Sequence, residues 1–193
     1  MTDDGPVRLH LLRHSDAGDP EKWQGDDDAR PLSEKGVRQA ENLGRHLARV
    51  GFETDAILSS PKVRALQTAE IVGRAVGVKV TVDDRLAGSL DPRSVAAILR
   101  DVGDPRKPLI VGHDPDFSEL LAELVGAPRL PMKKAAIARV DLAEGISAES
   151  GVLRWLLPPD LVPGGGAPDP AKRSPGERKK RPAADAAPES PSR

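Results

Sequence analysis

Leu11-Leu12-Arg13-His14-Ser15-Asp16 is the stretch on which the chain turns. It closes a short apolar run from Val7 to Leu12, which reads as a buried strand. Polarity changes abruptly after it, so Arg13 and His14 are placed at the strand's C-terminal end. In open α/β sheets that edge is where ligands bind. Arginine offers a fixed, always charged fork that suits phosphate oxygens. Its charge also disfavours protonation of the neighbouring imidazole, leaving a ring nitrogen free to attack or to ligate. Alone, the pair reads as a structural histidine; three later stretches reverse that reading.

Working outward, a long polar segment from Ser15 to Pro31 follows, with Trp23 and the acidic run Asp26-Asp27-Asp28. A loop of that length in a compact domain is functional or mobile. Ser33 is the expected N-cap of a helix that carries Val37, Ala40, Leu43, Leu47 and Val50 at helical spacing and stops at Gly51. Ala56-Ile57-Leu58 is the second strand. Ser60 is expected to cap a helix with Pro61 at its first position, which puts Arg64 in the first turn. Such a helix start attracts anions through its free amides and macrodipole. Val78 to Val82 is a third strand, Asp91-Pro92 opens a helix, and Leu109-Ile110-Val111 is a fourth strand. Gly112-His113-Asp114-Pro115 repeats the arrangement at His14, with Asp114 the expected cap of the next helix. Ala136 to Leu142 and Val152 to Leu157 are two further strands. Strands alternating with helices, then an antiparallel end, predict an α/β fold: a three-layer α/β/α sandwich with a mostly parallel central sheet.

Composition narrows the classes. The chain has 193 residues, net charge −1, no Cys and no Tyr. No apolar run is long enough for a membrane span, and Met1 to Pro6 lacks the features of a signal peptide. Without Cys, disulfides and thiol chemistry are excluded. These features together predict a cytoplasmic protein. Few aromatics argue against stacking on single-stranded nucleic acid. From Pro163 onward seven basic residues face four acidic ones, so this segment carries +3 and the remainder −4. The expected organisation is a domain over 1–162 and a disordered Pro/Gly/Ala-rich basic tail over 163–193. Lys172-Arg173 and Arg178-Lys179-Lys180-Arg181 suit an anionic surface, although a solvated extension is the plainer reading.

Three segments in order, Leu12-Arg13-His14-Ser15, Ser60-Pro61-Lys62-Val63-Arg64-Ala65-Leu66-Gln67-Thr68 and Gly112-His113, resemble the histidine phosphatase superfamily. Arg13-His14-Ser15-Asp16-Ala17, Arg30-Pro31-Leu32-Ser33 and Val111-Gly112-His113-Asp114-Pro115 are most similar to its SixA-type phosphohistidine phosphatases. Pro131-Met132, Ala136-Ile137-Ala138-Arg139-Val140 and Leu153-Arg154-Trp155 extend the likeness, which spans roughly Val7 to Pro158. The resemblance implies a phosphoglycerate mutase-like fold and His14 as a nucleophile that forms a covalent phosphohistidine. It implies Arg13, Arg64 and His113 around the phosphoryl group, with Ser15 and Asp16 as further substrate contacts and backbone amides at the Pro61 and Pro115 helix starts as donors. It implies no metal and no cofactor.

Two departures from the family pattern stand out. Ser15 replaces the glycine that many members carry after Arg-His, where a glycine-only conformation would be compromised. Aligned on Arg85-Leu86, Gly88 occupies the place of the glutamate general acid of the mutase-like branch. An alkoxide leaving group needs a proton donor, whereas an imidazole can already carry its proton near neutral pH. The expected substrate is therefore phosphohistidine on a signalling or phosphotransfer protein. The alternatives are a small phosphorylated metabolite or a phospho-binding module without turnover. Asp16, Asp83 and Asp84 are the substitute acids. The chain is expected to act as a monomer, with no nucleic-acid and no membrane partner.

Overall fold

The computed structural model describes residues 5–164. The tail expected from Pro163 therefore lies, beyond Gly164, outside the described residues. In chain order the elements are β1 (Val7–Arg13), α1 (Glu34–Arg49), β2 (Ala56–Ser59), α2 (Val63–Val76), β3 (Val80–Val82), α3 (Pro92–Asp101), β4 (Pro108–Gly112), α4 (Asp116–Val125), β5 (Ile137–Leu142) and β6 (Gly151–Leu157). The six strands form one sheet in the order β3-β2-β4-β1-β5-β6. β3, β2, β4 and β1 run parallel, and β5 and β6 are antiparallel additions.

The side-chain period of two divides β1 between two cores. Leu9 and Leu11 join Ile110, Leu58 and the inner faces of α3 and α4, including Val95, Ile98, Phe117 and Leu120. Leu12 joins Ile57, Leu109 and Val111 under α1 and α2, with Leu43, Leu47, Ala69 and Val72. Helices thus cover both faces of a mostly parallel sheet, the three-layer arrangement its patterning predicts. Val50, placed by spacing on the apolar stripe of α1, is exposed; Gly36 and Gly44 complete the buried face instead.

The caps expected of α1 and α3 are present. Ser33 Oγ accepts from Gly36 N at 3.1 Å, and Asp91 and Ser94 form a reciprocal capping box. The starts of α2 and α4 differ from expectation. α2 begins at Val63, with Lys62 at its N-cap and no side-chain cap. α4 begins at Asp116, with Pro115 at its N-cap and again no side-chain cap. In both cases the expected capping side chain is engaged elsewhere: Ser60 with His113, and Asp114 with Arg13 and Ser118.

Candidate active site

Three adjacent parallel strands end level with one another. Arg13 of β1 is opposite Gly112 of β4, and Ser59 of β2 is opposite Val111. The next residue of each strand is His14, His113 and Ser60, so parallel pairing alone brings these three together. The backbone continues the pairing: His14 N–H donates to Gly112 C=O at 2.9 Å, and Ser60 N–H to Val111 C=O at 3.0 Å. Gly112 lets Phe117 pack under this edge, since a Cβ there would meet the Phe117 ring at 2.6 Å.

The rings of His14 and His113 lie 5.2 Å apart between centroids. His14 Nδ1 is 2.7 Å from the carbonyl of Ser15. A carbonyl only accepts, so Nδ1 carries the proton and Nε2 keeps its lone pair. Burial lowers the His14 pKa to about 4, and the positive charges of Arg64, Arg13 and Lys134 act in the same direction, against the bond to Ser15. The ring is therefore neutral at physiological pH. His113 Nε2 is 2.8 Å from Ser60 Oγ, and burial together with His14, Arg64 and Lys62 lowers its pKa to about 3.

Arg64, at 6% exposure, is no surface residue. Its guanidinium donates to Asp27 C=O at 2.6 Å and pairs with the Asp27 carboxylate at 3.0 Å. Lys62 pairs with Asp28 at 3.0 Å. The acidic run of the long loop is thus folded back onto the cations of the site. Arg30 holds it there, with Nε on Asp27 at 2.8 Å and one terminal nitrogen on Ala17 C=O at 2.8 Å. Hydrogen bonding from Arg30 is the largest reason the Asp27 carboxyl sits below the usual carboxylate range, with the charge of Arg64 adding to it. Arg13 donates to Met132 C=O at 2.6 Å and pairs with Asp114 at 3.1 Å.

Of the buried side-chain polar atoms that lack a partner among the described residues, four belong to Arg13, Ser15, Arg64 and His113. Buried donors are ordinarily satisfied; of six such atoms four fall at this strand edge, and the other two, His10 Nδ1 and Arg106 Nε, do not. Among the described residues, no group of three or more His, Cys, Asp or Glu is placed to hold a metal ion.

Ser15 and Asp16 have different roles. Ser15 is fully buried and does not need a glycine-only conformation, since its φ is not positive. Its N–H donates to Thr68 Oγ1 at 3.0 Å, and Thr68 Oγ1 donates to Arg64 C=O at 2.7 Å. Asp16 is an anchor. It accepts from Ser33 Oγ at 2.7 Å and from Gly18 N at 3.0 Å, and pairs with Lys134 at 3.2 Å. Burial opposes its ionisation, but these partners outweigh it and bring its pKa down to about 2. Asp83 is likewise held ionised, chiefly by Arg85. Neither has a proton to give near neutral pH.

Sequence reasoning also missed several positioning residues. Gln67 Oε1 accepts from Leu32 N at 2.8 Å, and Gln39 Oε1 from Asp16 N at 3.0 Å, so helices α2 and α1 pin the two ends of the long loop. Gly36 allows α1 to approach the same segment: a Cβ there would lie 1.8 Å from the Asp16 carbonyl oxygen. Ala135 has φ +62°, which costs a residue with a Cβ about 1–2 kcal/mol. Its N–H reaches the carbonyls of both Arg13 and His14 at 3.1 Å. The amides expected at the helix starts are partly spent. Lys62 N–H donates to Ser60 Oγ at 3.3 Å and Phe117 N–H to His113 C=O at 2.9 Å.

Chemically, the site offers one unprotonated imidazole nitrogen on a neutral ring, a second neutral imidazole and two guanidinium groups. That set suits attack on a centre whose oxygens carry negative charge.

The chain is similar to several known proteins. An uncharacterized protein of Picosynechococcus is 33% identical over 141 residues, covering 68% of this chain and 82% of its own. The structure of the protein histidine phosphatase SixA complexed with tungstate superposes with a TM-score of 0.66 at 28% identity, over 78% of this chain and 96% of that one. The alpha-ribazole phosphatase of Shigella flexneri shares the fold, with a TM-score of 0.62 at 20% identity over 78% and 96% of the two chains. The family profile of the histidine phosphatase superfamily (branch 1) matches residues 9–88, which hold Arg13, His14, Ser60 and Arg64 in one run, and the chain belongs to that superfamily.

Proposed function

We propose that this chain removes the phosphoryl group from phosphohistidine on a protein, by way of a covalent phosphohistidine at His14. In the first step His14 Nε2 attacks phosphorus, the substrate's P–N bond breaks, and its electron pair leaves with the substrate imidazole. In the second step water attacks phosphorus, the His14 P–N bond breaks, and inorganic phosphate departs. Arg13, Arg64 and His113 stabilise charge on the equatorial oxygens. Fixed cations supply this stabilisation.

The observation that carries the reading is the His14 Nδ1 contact with Ser15 C=O, which leaves Nε2 unprotonated on a ring that burial keeps neutral. Phosphohistidine is favoured over esters because, of the acids that could serve a leaving alkoxide, Asp84 is exposed and all the others but Asp116 are occupied. Asp16 and Asp83 are held as carboxylates, Asp27 lies on Arg64 and Arg30, and Gly88 has no side chain.

The test compares kcat/KM for a phosphohistidine protein, an aryl phosphate and an alkyl phosphate at neutral pH. General acid help is worth about 10²–10⁴ in rate. The alkyl ester should fall behind phosphohistidine by about that factor, with the aryl ester between. Equal turnover of the alkyl ester would overturn the substrate assignment. The donor to replace would then be Asp116, the one described carboxyl whose pKa is raised, by burial first and by Glu119 and Asp114 after it.

A further inference from the structure

The ground on the two sides of Arg13 differs in charge. On the α1 and β5 side a cavity of about 460 Å³ is lined by Arg13, Lys35, Lys133 and Lys134, against the acids Asp16 and Asp160. On the α4 side a cavity of about 560 Å³ is lined by Asp114, Glu119 and Glu123 among prolines, with Arg129 its one cation. The first has two cations in excess; the second has two acids in excess.

We infer that the basic cavity binds a second anionic group of the substrate, a carboxylate or phosphate carried next to the phosphoryl group being transferred. The inference rests on the phosphatase reading above. Arg13 belongs to both places: it adjoins His14 in sequence and lines the cavity, so the two anion sites are contiguous. Lys134 is close enough for its charge to act on His14.

Three of the cations are paired, Arg13 with Asp114, Lys134 with Asp16 and Lys133 with Asp160, and the pairs differ in how readily they open. Asp16 is held by Ser33 and Gly18 as well as by Lys134, which keeps it in place as an anchor. Lys133 pairs with Asp160 at 3.0 Å, but both side chains are more than half exposed. A pair so exposed is screened by water and weak, so an arriving carboxylate can take Lys133 at small cost. Lys35 makes no ion pair among the described residues. The same anionic chemistry can come from acidic residues flanking a phosphohistidine or from a second acid on a small metabolite.

Binding of non-hydrolysable probes tests the cavity independently of turnover. Propylphosphonate and 3-phosphonopropionate differ in one terminal carboxylate. The carboxylated probe should bind about five- to tenfold more tightly to the unaltered protein, the scale of one to two solvated ion pairs. The advantage should shrink with added salt and vanish in the double variant Lys35→Gln, Lys133→Gln. Equal affinity for the two probes, or an advantage that survives the double variant, overturns the inference.

Two kinetic pairs then separate the sources. A phosphohistidine peptide flanked by Glu is compared with one flanked by Gln, and carboxyphenyl phosphate with phenyl phosphate. A preference for the acidic member in the first pair identifies a protein ligand; one confined to the second identifies a metabolite. Absence of any hydrolysis, with the probe difference intact, would overturn the phosphatase reading and leave the anion site standing.

Discussion

His10 and His14 are two histidines of one strand and its immediate extension, and by two common measures they are alike. Their exposures are 3% and 6%. Burial lowers the pKa of each to about 4. Their surroundings differ. His10 lies within β1, flanked by Leu109 of β4 and Arg139 of β5, with the edge of Phe52 at 4.6 Å and Trp155 at 5.8 Å. His14 lies one residue beyond the strand, with Ser15 C=O fixing its tautomer and Arg13, Arg64 and His113 about it. Burial and a depressed pKa therefore identify a desolvated imidazole and nothing more. Reactivity needs the strand end, where Arg13 of β1, Arg64 of α2 and the neutral His113 beyond β4 meet one unprotonated ring nitrogen.

The sharpest way to break the comparison is to remove the two rings in turn. His14→Asn should lose at least about 10⁴-fold in kcat, the scale on which loss of a covalent nucleophile is felt. Its circular dichroism should match that of the unaltered protein. Turnover surviving this change would place the chemistry elsewhere. Arg64→Ala comes next. It removes one fixed donor from the anion site, and the loss should be about 10²–10³ in rate. Activity equal to the starting protein would mean that the Asp27 carboxylate stays on Arg64 throughout the reaction.

The comparison also shows what the sequence could yield. Strand–helix alternation was legible because period and polarity change sharply at each strand end; that placed Arg13, His14 and His113 at strand ends and Arg64 in a helix's first turn, and the resemblance to the superfamily singled the four out. The caps at Ser60 and Asp114 were misread for one physical reason. A side chain one residue past a strand end can cap the next helix or face the neighbouring strand's end, and local sequence cannot choose. Here Asp114 is taken by Arg13 and Ser118, while Ser60 Oγ bonds His113 at 2.8 Å and keeps only a long contact from Lys62 N–H at 3.3 Å. The fold-back of Asp27 and Asp28 onto Arg64 and Lys62 was invisible for a similar reason, since the partners are more than thirty residues apart. Gln39 and Gly36 carried no signal of their own, and Gln67 stood in the motif without a stated role; what all three do exists only once the loop is docked.

A smaller effect is expected at His10. Four residues of strand separate its Cα from that of His14 by about 13 Å. Changes at that distance with no shared partner combine independently to within about 0.5 kcal/mol. His10→Leu keeps the volume and faces the same Phe52 and Trp155. Because its aromatic neighbours are Phe52 and Trp155 and none of the site's residues, its kcat/KM should stay within roughly twofold of the starting protein, the scale of an independent change. A drop comparable with that of Arg64→Ala would show that the two histidines are coupled through β1.

The finest test uses the property that the two rings share. An unfolded histidine titrates near the ordinary value of 6.5, whereas His10 and His14 titrate near 4 when folded. Between these values the unfolded chain binds a proton at each position and the folded chain does not. Unfolding free energy therefore rises with pH across the window, and stability falls as pH drops from 6.5 towards 4. Each ring contributes a slope of about 1.4 kcal/mol per pH unit while that difference lasts. Asp16, brought down to about 2, titrates below this window, and groups common to both proteins cancel in the difference. His10→Leu and His14→Asn should therefore flatten the pH dependence of stability between about pH 4.5 and 6 by the same amount, as read by urea unfolding. One of the two variants turns over substrate and the other does not. A slope change at His14 alone would mean that the ring of His10 accepts its proton in place, and that Phe52 and Trp155 shield it less than its burial implies.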